Sequence, residues 1–207
     1  MRQTTHVYLT VVEVAKLAEL CDTATGQDSR AAKQGDVVLI LAYTGLRFGE
    51  LTGLNVEDVD LHARRIRVRR SITQLSGRLI EGPPKSRAGR RSVPIPQRLI
   101  PILQHRVAGR TTSQPAITSP KGSRLGIENW KRAVGWRTRI AELGHPTMRV
   151  HDLRHTYASL ARSAGADMKL LQVSMGHASI MVTAHTYADL YDSDLDRVAD
   201  ALDGLGA

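Results

Sequence analysis

The spacing at which apolar residues recur along the chain changes twice, and this pattern is the strongest constraint on the fold. Apolar residues recur at helical spacing over residues 14–21, directly after a capping box that Thr10 and Glu13 form. Over residues 65–69 basic and apolar residues alternate instead, which predicts a half-buried strand. Helical spacing returns from Gln97 onward. We therefore expect an α+β fold that is mainly α-helical, with a small three-stranded antiparallel sheet.

The predicted sheet determines where one lysine lies. Its strands are expected at residues 65–69, 78–80 and 91–96, and the prolines of the last mark it as an edge strand. The proline- and glycine-rich segment 82–89 forms the loop before that strand, with Lys85 at the tip of the second hairpin. The predicted helices lie at residues 10–21, 37–43, 48–54, 99–107, 127–143, 153–163, 167–175 and 179–187, and an acidic tail helix follows over residues 191–207.

The charge distribution indicates a polyanionic partner. The chain has 207 residues, which suits one domain, and a formal net charge of +9. Residues 64–91 contain ten basic residues against one acid, whereas residues 189–207 contain six aspartates against one arginine. One long basic block favours nucleic-acid binding over the alternative of a solvated surface, where mixed signs are usual. The single cysteine excludes an internal disulfide, and no apolar run approaches the roughly 20 residues that cross a bilayer. We expect a cytoplasmic protein.

Two arginines and a tyrosine suggest phosphoryl transfer. Arg47 follows a Thr-Gly break at a helix start and Arg154 lies in a His-Asp-Leu-Arg-His block, and two guanidiniums can bind the oxygens of one phosphate. A tyrosine hydroxyl can attack the phosphorus. Tyr187 is the leading candidate, and its competitors by spacing are Tyr43, Tyr157 and Tyr191.

The basic loop offers an acid and further phosphate ligands. Lys85 can protonate a leaving oxygen, whereas an arginine keeps its protons. Arg87, Arg90 and Arg91 are therefore expected to bind neighbouring phosphates of the backbone. His177, directly after a helix-ending glycine, is a candidate hydrogen-bond donor to the phosphate.

A zinc site is the competing hypothesis for the histidines. His151 and His155 are four residues apart, as in helical metalloprotease motifs, but Asp152 stands where those motifs place glutamate. The Arg154 guanidinium next to the second histidine would also repel a cation. A histidine packed beneath the helix is the better interpretation of His155.

Taken together, the blocks resemble the tyrosine recombinase (phage integrase) family. The resemblance covers Thr-Gly-Leu-Arg-Phe-Gly-Glu at 44–50, the lysine loop at 84–94, His-Asp-Leu-Arg-His at 151–155, Gly-His at 176–177 and Ala-His-Thr-Tyr-Ala-Asp-Leu at 184–190. Each block is weak alone, but the ordered set is specific.

The resemblance implies a DNA strand transferase that uses a 3′-phosphotyrosyl intermediate and needs neither metal nor ATP. Tyr187 would be the nucleophile, Lys85 would protonate the 5′ oxygen and His151 would handle the tyrosine proton. Arg47, Arg154 and His177 would hold the phosphate. Glu50 would orient the arginines.

The resemblance also implies partners and a domain arrangement. Residues 1–207 are expected to be a single catalytic domain with its core at about 8–190, and the family's N-terminal core-binding domain is expected to be absent. The expected partner is double-stranded DNA, on which monomers would assemble into a tetramer, together with accessory DNA-bending or directionality proteins. The alternative is a DNA-binding fragment or regulatory relative without turnover, and its mark would be a damaged set of site residues.

Overall fold

A computed structural model of the chain describes residues 6–23, 33–187 and 202–203. These residues are mostly helical with small antiparallel sheets, which confirms the predicted fold class. The α-helices are α1 (Val11–Thr23), α2 (Gly35–Thr44), α3 (Phe48–Gly53), α4 (Ile100–Val107), α5 (Ile127–Ala133), α6 (Trp136–Glu142), α7 (Asp152–Ser163), α8 (Met168–Met175) and α9 (Ile180–Tyr187). The strands are β1 (Val59–Asp60), β2 (Arg65–Val68), β3 (Ser71–Leu75), β4 (Arg78–Gly82) and β5 (Arg91–Pro94).

Helix α2 is the centre of the core. Its side chains are buried almost all round, as its uniformly apolar sequence predicts, and it packs between α1 and α7. Helix α1 begins with the predicted capping box, in which Glu13 Oε2 accepts from the Thr10 amide at 2.8 Å and Thr10 Oγ1 accepts from the Glu13 amide at 3.2 Å. This packing fixes α7, which carries several candidate site residues, against the end of α2.

The three-stranded sheet has a different membership from the predicted one. Strand β2 pairs with β1 on one side and with β5 on the other, with Ile66 opposite both Val59 and Val93. The predicted second strand instead pairs with β3 in a separate two-stranded hairpin around the Ser76-Gly77 turn. Lys85 therefore lies in the connection from β4 to β5, not at the tip of a hairpin, because β4 and β5 do not pair.

The predicted helix 127–143 is two helices. Gly135 lies between α5 and α6 with φ 62°, a left-handed conformation that ends the first helix. The break places Trp130 and Trp136 with ring centroids 5.4 Å apart in the core.

The two C-terminal helices follow the prediction closely. Asp167 Oδ1 accepts from the Leu170 amide at 2.6 Å and caps α8, and Gly176 ends it in the left-handed region. Helix α9 then carries Tyr187 at its end. The predicted acidic tail helix lies outside the described residues except for 202–203. No described helix has the length and apolar character that spanning a bilayer requires.

Candidate active site

The turn between α2 and α3 places Arg47 beside Glu50. Gly45 adopts φ 65°, and a Cβ there would lie 2.4 Å from the Tyr157 ring, so the close approach of α7 requires glycine. The Glu50 carboxylate accepts from the Arg47 amide at 2.9 Å and from its Nη1 at 2.8 Å. The Arg47 side chain keeps 31% of its surface exposed, so its guanidinium can still meet a ligand.

Arg91 is the second arginine on this carboxylate. Its Nη1 and Nη2 donate to the two oxygens of Glu50 at 3.1 and 3.0 Å, and its Nε donates to the Ser174 carbonyl at 2.7 Å. The sequence predicts Arg91 as a contact to the DNA backbone. In the structure the guanidinium is turned inward and its side chain is only 5% exposed, and the contact to the DNA backbone stays a prediction. Glu50 thus holds two arginines in fixed positions.

Arg154 lies deepest in the site. Its side chain, on α7, donates to the carbonyls of Gly45 and Met175 and so joins the ends of α2 and α8. The residue is 2% exposed and has no carboxylate partner among the described residues. Burial first, and then the Arg47 and Arg91 guanidiniums, lower the pKa of Arg154 to about 9. It remains charged at neutral pH.

The site has an excess of positive charge. Burial alone would raise the pKa of Glu50, but hydrogen bonds and charge from Arg91, and then from Arg47, lower it below its ordinary value. Glu50 pairs with Arg47 and Arg91 but not with Arg154, so the pocket has one carboxylate charge against three guanidinium charges. Such a pocket attracts an anion, and a phosphate diester carries the compensating charge.

Two histidines border this pocket. His151 is the residue before α7, and its ring reaches solvent, although the surrounding protein partly desolvates it. That desolvation, together with the charges of Arg154 and Arg47, lowers the pKa of His151 to about 4. Desolvation and the same two arginines also lower the pKa of His177 to about 4, and a hydrogen bond of 2.9 Å joins its Nδ1 to Thr183 Oγ1. Both rings are neutral at pH 7, so either can exchange a proton or donate a hydrogen bond.

Tyr187 lies at the inner edge of the site. Its ring is nearly parallel to that of His177, with centroids 6.3 Å apart, and it is 1% exposed. A hydrogen bond of 3.0 Å joins its hydroxyl to Nδ1 of His155. The sequence predicts His155 only as a packed residue, and no sequence signal indicates this contact. Of the competing tyrosines, Tyr43 lies under the Arg98 guanidinium and Tyr191 falls outside the described residues.

The basic loop lies next to the pocket but is not tied to it by its charged side chains. Lys85, Arg87 and Arg90 are exposed. The loop itself is anchored, because a Cβ on Gly176 would lie 2.8 Å from the Ala88 carbonyl oxygen. The structure therefore brings Arg47, Arg154, His151, His177 and Tyr187 together, and it leaves Lys85 on a loop at their border.

A groove of about 660 Å³ extends from His151 along α5 and α6. Its apolar floor includes Trp136, and its rim carries Lys131, Arg132, Arg137 and Arg149. Lys131 pairs with Glu128 at 2.8 Å, but within the described residues neither Arg132 nor Arg137 forms an ion pair. The sequence shows these residues as a second basic stretch without indicating that they adjoin the site.

One group of described side chains has the composition of a metal site. Ligating atoms of His6, Asp152 and His155 all lie within 4.8 Å of one another. The group includes His155 but not His151, so the ligand pair considered from the sequence is not the one that the fold assembles. The rings of His151 and His155 meet edge-on, with centroids 5.1 Å apart.

Comparison with known proteins identifies the family. Residues 8–194 match the model of the phage integrase family, and the chain belongs to that family. The integrase of Mycobacterium phage D29 is 33% identical over 149 residues, which cover 69% of this chain and 39% of that protein. The chain therefore spans about two fifths of the length of this relative.

Solved structures share the fold over almost the whole chain. The Tn1549 transposon integrase in complex with transposon right end DNA superposes with a TM-score of 0.74 at 23% identity, covering 96% of this chain and 67% of that one. The XerA recombinase superposes with a TM-score of 0.66 at 28% identity, covering 96% and 66%. Both matches confirm the architecture expected from the sequence.

Proposed function

We propose that the chain is the catalytic domain of a site-specific DNA recombinase, which cleaves and rejoins duplex DNA through a 3′-phosphotyrosyl intermediate. One observation carries this proposal. The fold brings Arg47, Arg154, His177 and Tyr187 from separate segments to one pocket in which guanidiniums outnumber carboxylates. Their shared location is what the chemistry requires, and family membership supports it.

The arginines suit a reaction that adds charge to a phosphate. Attack on a phosphodiester places negative charge on its non-bridging oxygens, and fixed cations stabilise that charge most when they need no reorganisation. Arg154 is fixed by two backbone carbonyls, and Arg47 by Glu50. These two guanidiniums, with a hydrogen bond from His177, would bind the scissile phosphate.

The bond changes involve one phosphorus atom. The Tyr187 oxygen forms a bond to phosphorus as the bond from phosphorus to the 5′ oxygen breaks. The phenol proton passes to His151, whose ring is neutral at pH 7, and Lys85 gives a proton to the departing 5′ oxygen. Reversal with another 5′ hydroxyl rejoins the strand, and the phosphotyrosine conserves the bond energy.

Two movements are needed before this step. The Tyr187 hydroxyl is bonded to His155 and buried, so it must leave this position to reach a duplex phosphate. Lys85 is exposed and must turn into the pocket with its loop. The structure thus corresponds to a resting state that DNA binding would convert.

DNA and further copies of the chain are the proposed partners. The Tn1549 integrase structure is a complex with transposon right end DNA, which supports double-stranded DNA as the substrate here. Exposed Arg87 and Arg90 would contact the flanking backbone. Exposed apolar side chains on α8 and α9, among them Val173 and Met181, support self-assembly into a tetramer on DNA. Accessory DNA-bending or directionality proteins remain proposed partners.

Covalent capture tests the proposal without knowledge of the recognised site. The chain is incubated with a randomised pool of duplexes that carry a nick near the centre, so that a released fragment prevents rejoining. After denaturation, DNA that stays with the protein is sequenced. Wild type should retain DNA enriched in one sequence, and Tyr187→Phe should retain none. Equal covalent retention by the two proteins would refute Tyr187 as the nucleophile, and binding without any adduct would favour a DNA-binding module without turnover.

A further inference from the structure

Three metal-ligating side chains meet directly behind the resting tyrosine. His6 comes from the segment before α1, and Asp152 and His155 from the first turns of α7. Asp152 is 2% exposed and His155 4% exposed. The His6 ring lies over that of His155, with centroids 3.9 Å apart. Ligating atoms of all three lie within 4.8 Å of one another.

A second observation on His6 also indicates a bound ion. Its Nδ1 is buried and has no hydrogen-bond partner among the residues that the structure describes. A buried polar atom without a partner costs about 1–3 kcal/mol, and a bound ion is one of the few explanations for such an atom in a native protein. Hydrogen bonds within the group do not satisfy it.

We propose that His6, Asp152 and His155 bind a zinc-type divalent ion, and that this ion holds Tyr187 in its resting position. Two imidazole nitrogens and one carboxylate oxygen are a ligand set of Zn²⁺, with a solvent molecule in the fourth position. Ligands of a tetrahedral zinc lie about 3.4 Å apart when each bond is about 2.1 Å. The proposal requires the three side chains to move closer than their present spacing of up to 4.8 Å.

The neighbouring arginines do not exclude the ion. Arg154 directs its guanidinium toward the carbonyls of Gly45 and Met175. Arg149 donates to both oxygens of Asp152, from Nη2 to Oδ1 at 3.1 Å and from its amide to Oδ2 at 2.7 Å, but an ionised carboxylate has about four acceptor sites and brings a negative charge that a pair of histidines lacks. This charge distinguishes the group from the ligand pair that the sequence suggests.

The ion would restrain Tyr187 through the imidazole ring of His155, which contacts both the metal-ligand group and the tyrosine. Nε2 of His155 faces Asp152 Oδ1 at 3.9 Å, and Nδ1 is bonded to the Tyr187 hydroxyl. An ion on Nε2 leaves the ring proton on Nδ1, where it is donated to the tyrosine oxygen. The phenol oxygen is then occupied as an acceptor, and cleavage requires the loss of this bond. This consequence rests on the proposed function, whereas the site itself does not.

Cobalt substitution tests the site without DNA. The chelator-treated chain is titrated with Co²⁺, whose visible absorption reports a four- or five-coordinate ion, and Zn²⁺ is then added as competitor. Wild type should bind one equivalent, and His6→Ala and His6→Asn should each bind at least about tenfold more weakly. His62→Ala removes an exposed histidine outside the group and is the matched control. Equal affinity in wild type and both His6 variants, with unchanged melting temperatures, would overturn the site.

The capture assay tests the hold on Tyr187. Zn²⁺ should reduce the covalent adduct of wild type and of His62→Ala, EDTA should restore it, and His6→Ala should be insensitive. Saturable Co²⁺ binding with an adduct yield unaffected by Zn²⁺ would refute the inhibitory role. If wild type forms no adduct under any condition, the proposed function fails, and the cobalt spectra still decide whether the site exists.

Discussion

The arginines of the pocket and those of its flank, which is the groove extending from His151, have the same charge but differ in how firmly their side chains are held. Arg154 and Arg91 are almost completely buried, and their donors are committed to carbonyls or to Glu50. Arg132 and Arg137, on the groove that leaves His151, are exposed. Fixed guanidiniums can stabilise a transition state without reorganisation, whereas exposed ones adapt to the path of a backbone. Substitutions in the pocket should therefore change rates and stability, and those in the flank should change binding.

The largest expected effect is on cleavage. Arg154→Lys should lower the rate of adduct formation at saturating DNA by about 10²–10³-fold, because a lysine cannot reproduce a planar fork held at two carbonyls. Arg132→Lys is the matched change in the flank and should leave this rate unchanged. Single-turnover kinetics measure both, with circular dichroism to verify folding. Comparable rate losses in the two variants would remove the distinction between pocket and flank.

The next effect is on stability. Glu50→Gln should lower the free energy of unfolding by about 3–5 kcal/mol, since it leaves two arginine side chains without their buried counter-charge. Glu81→Gln removes a carboxylate that is 53% exposed and also pairs with arginines, and it should cost less than about 1 kcal/mol. Urea denaturation at pH 7 gives both values. A small loss for Glu50→Gln would show that the arginines do not depend on it.

The pH dependence of stability should also distinguish a residue of the pocket from an exposed one. The pKa of His177 is about 4 in the folded chain against an ordinary 6.5, so between these values the unfolded chain binds a proton that the folded chain does not. Stability should therefore fall as the pH is lowered from 6.5 to 4, by up to about 1.4 kcal/mol per pH unit from this residue. His177→Asn should reduce the slope, and the exposed His105→Asn should not. An unchanged slope in His177→Asn would mean that the pocket does not lower the pKa of this ring.

The smallest effect is on the salt dependence of binding. Replacing Arg132 and Arg137 together by alanine should weaken DNA binding similarly for all sequences. The slope of log affinity against log salt should fall by about one for each phosphate that is no longer neutralised. Lys16→Ala, which removes an exposed lysine of α1, is the control. Fluorescence anisotropy over a salt series measures the slope. A slope identical to that of wild type would show that the DNA backbone does not contact Arg132 and Arg137.

Local signals predicted the helices well. Thr10 and Glu13 define the start of α1, Gly45 the end of α2, and Asp167 and Gly176 the two ends of α8, because caps depend on residues close in sequence. Gly135 was the exception. A glycine within an amphipathic pattern is compatible with a continuous helix, and the local pattern does not reveal that a break at this glycine packs Trp130 against Trp136.

The site was predictable as a set of residues but not as a set of contacts. Ordered blocks identify Arg47, Arg154 and Tyr187, yet nothing near Arg91 in the sequence shows that it turns toward Glu50, which lies 41 positions away. The contact of His155 with Tyr187 and the approach of His6 are also set by how α7 packs. The pairing of β5 with β2 instead of β4 also depends on tertiary packing, and it determines the position of Lys85.

Arg154 joins residues 45 and 175 of the backbone, so its presence serves the integrity of the fold as well as any chemistry. A descendant of this gene that had lost its activity would still be under selection to keep this arginine for as long as the folded domain was useful. Retention of the arginine in an evolutionary lineage is therefore poor evidence of enzymatic competence, and the fate of the tyrosine on α9 is the better record.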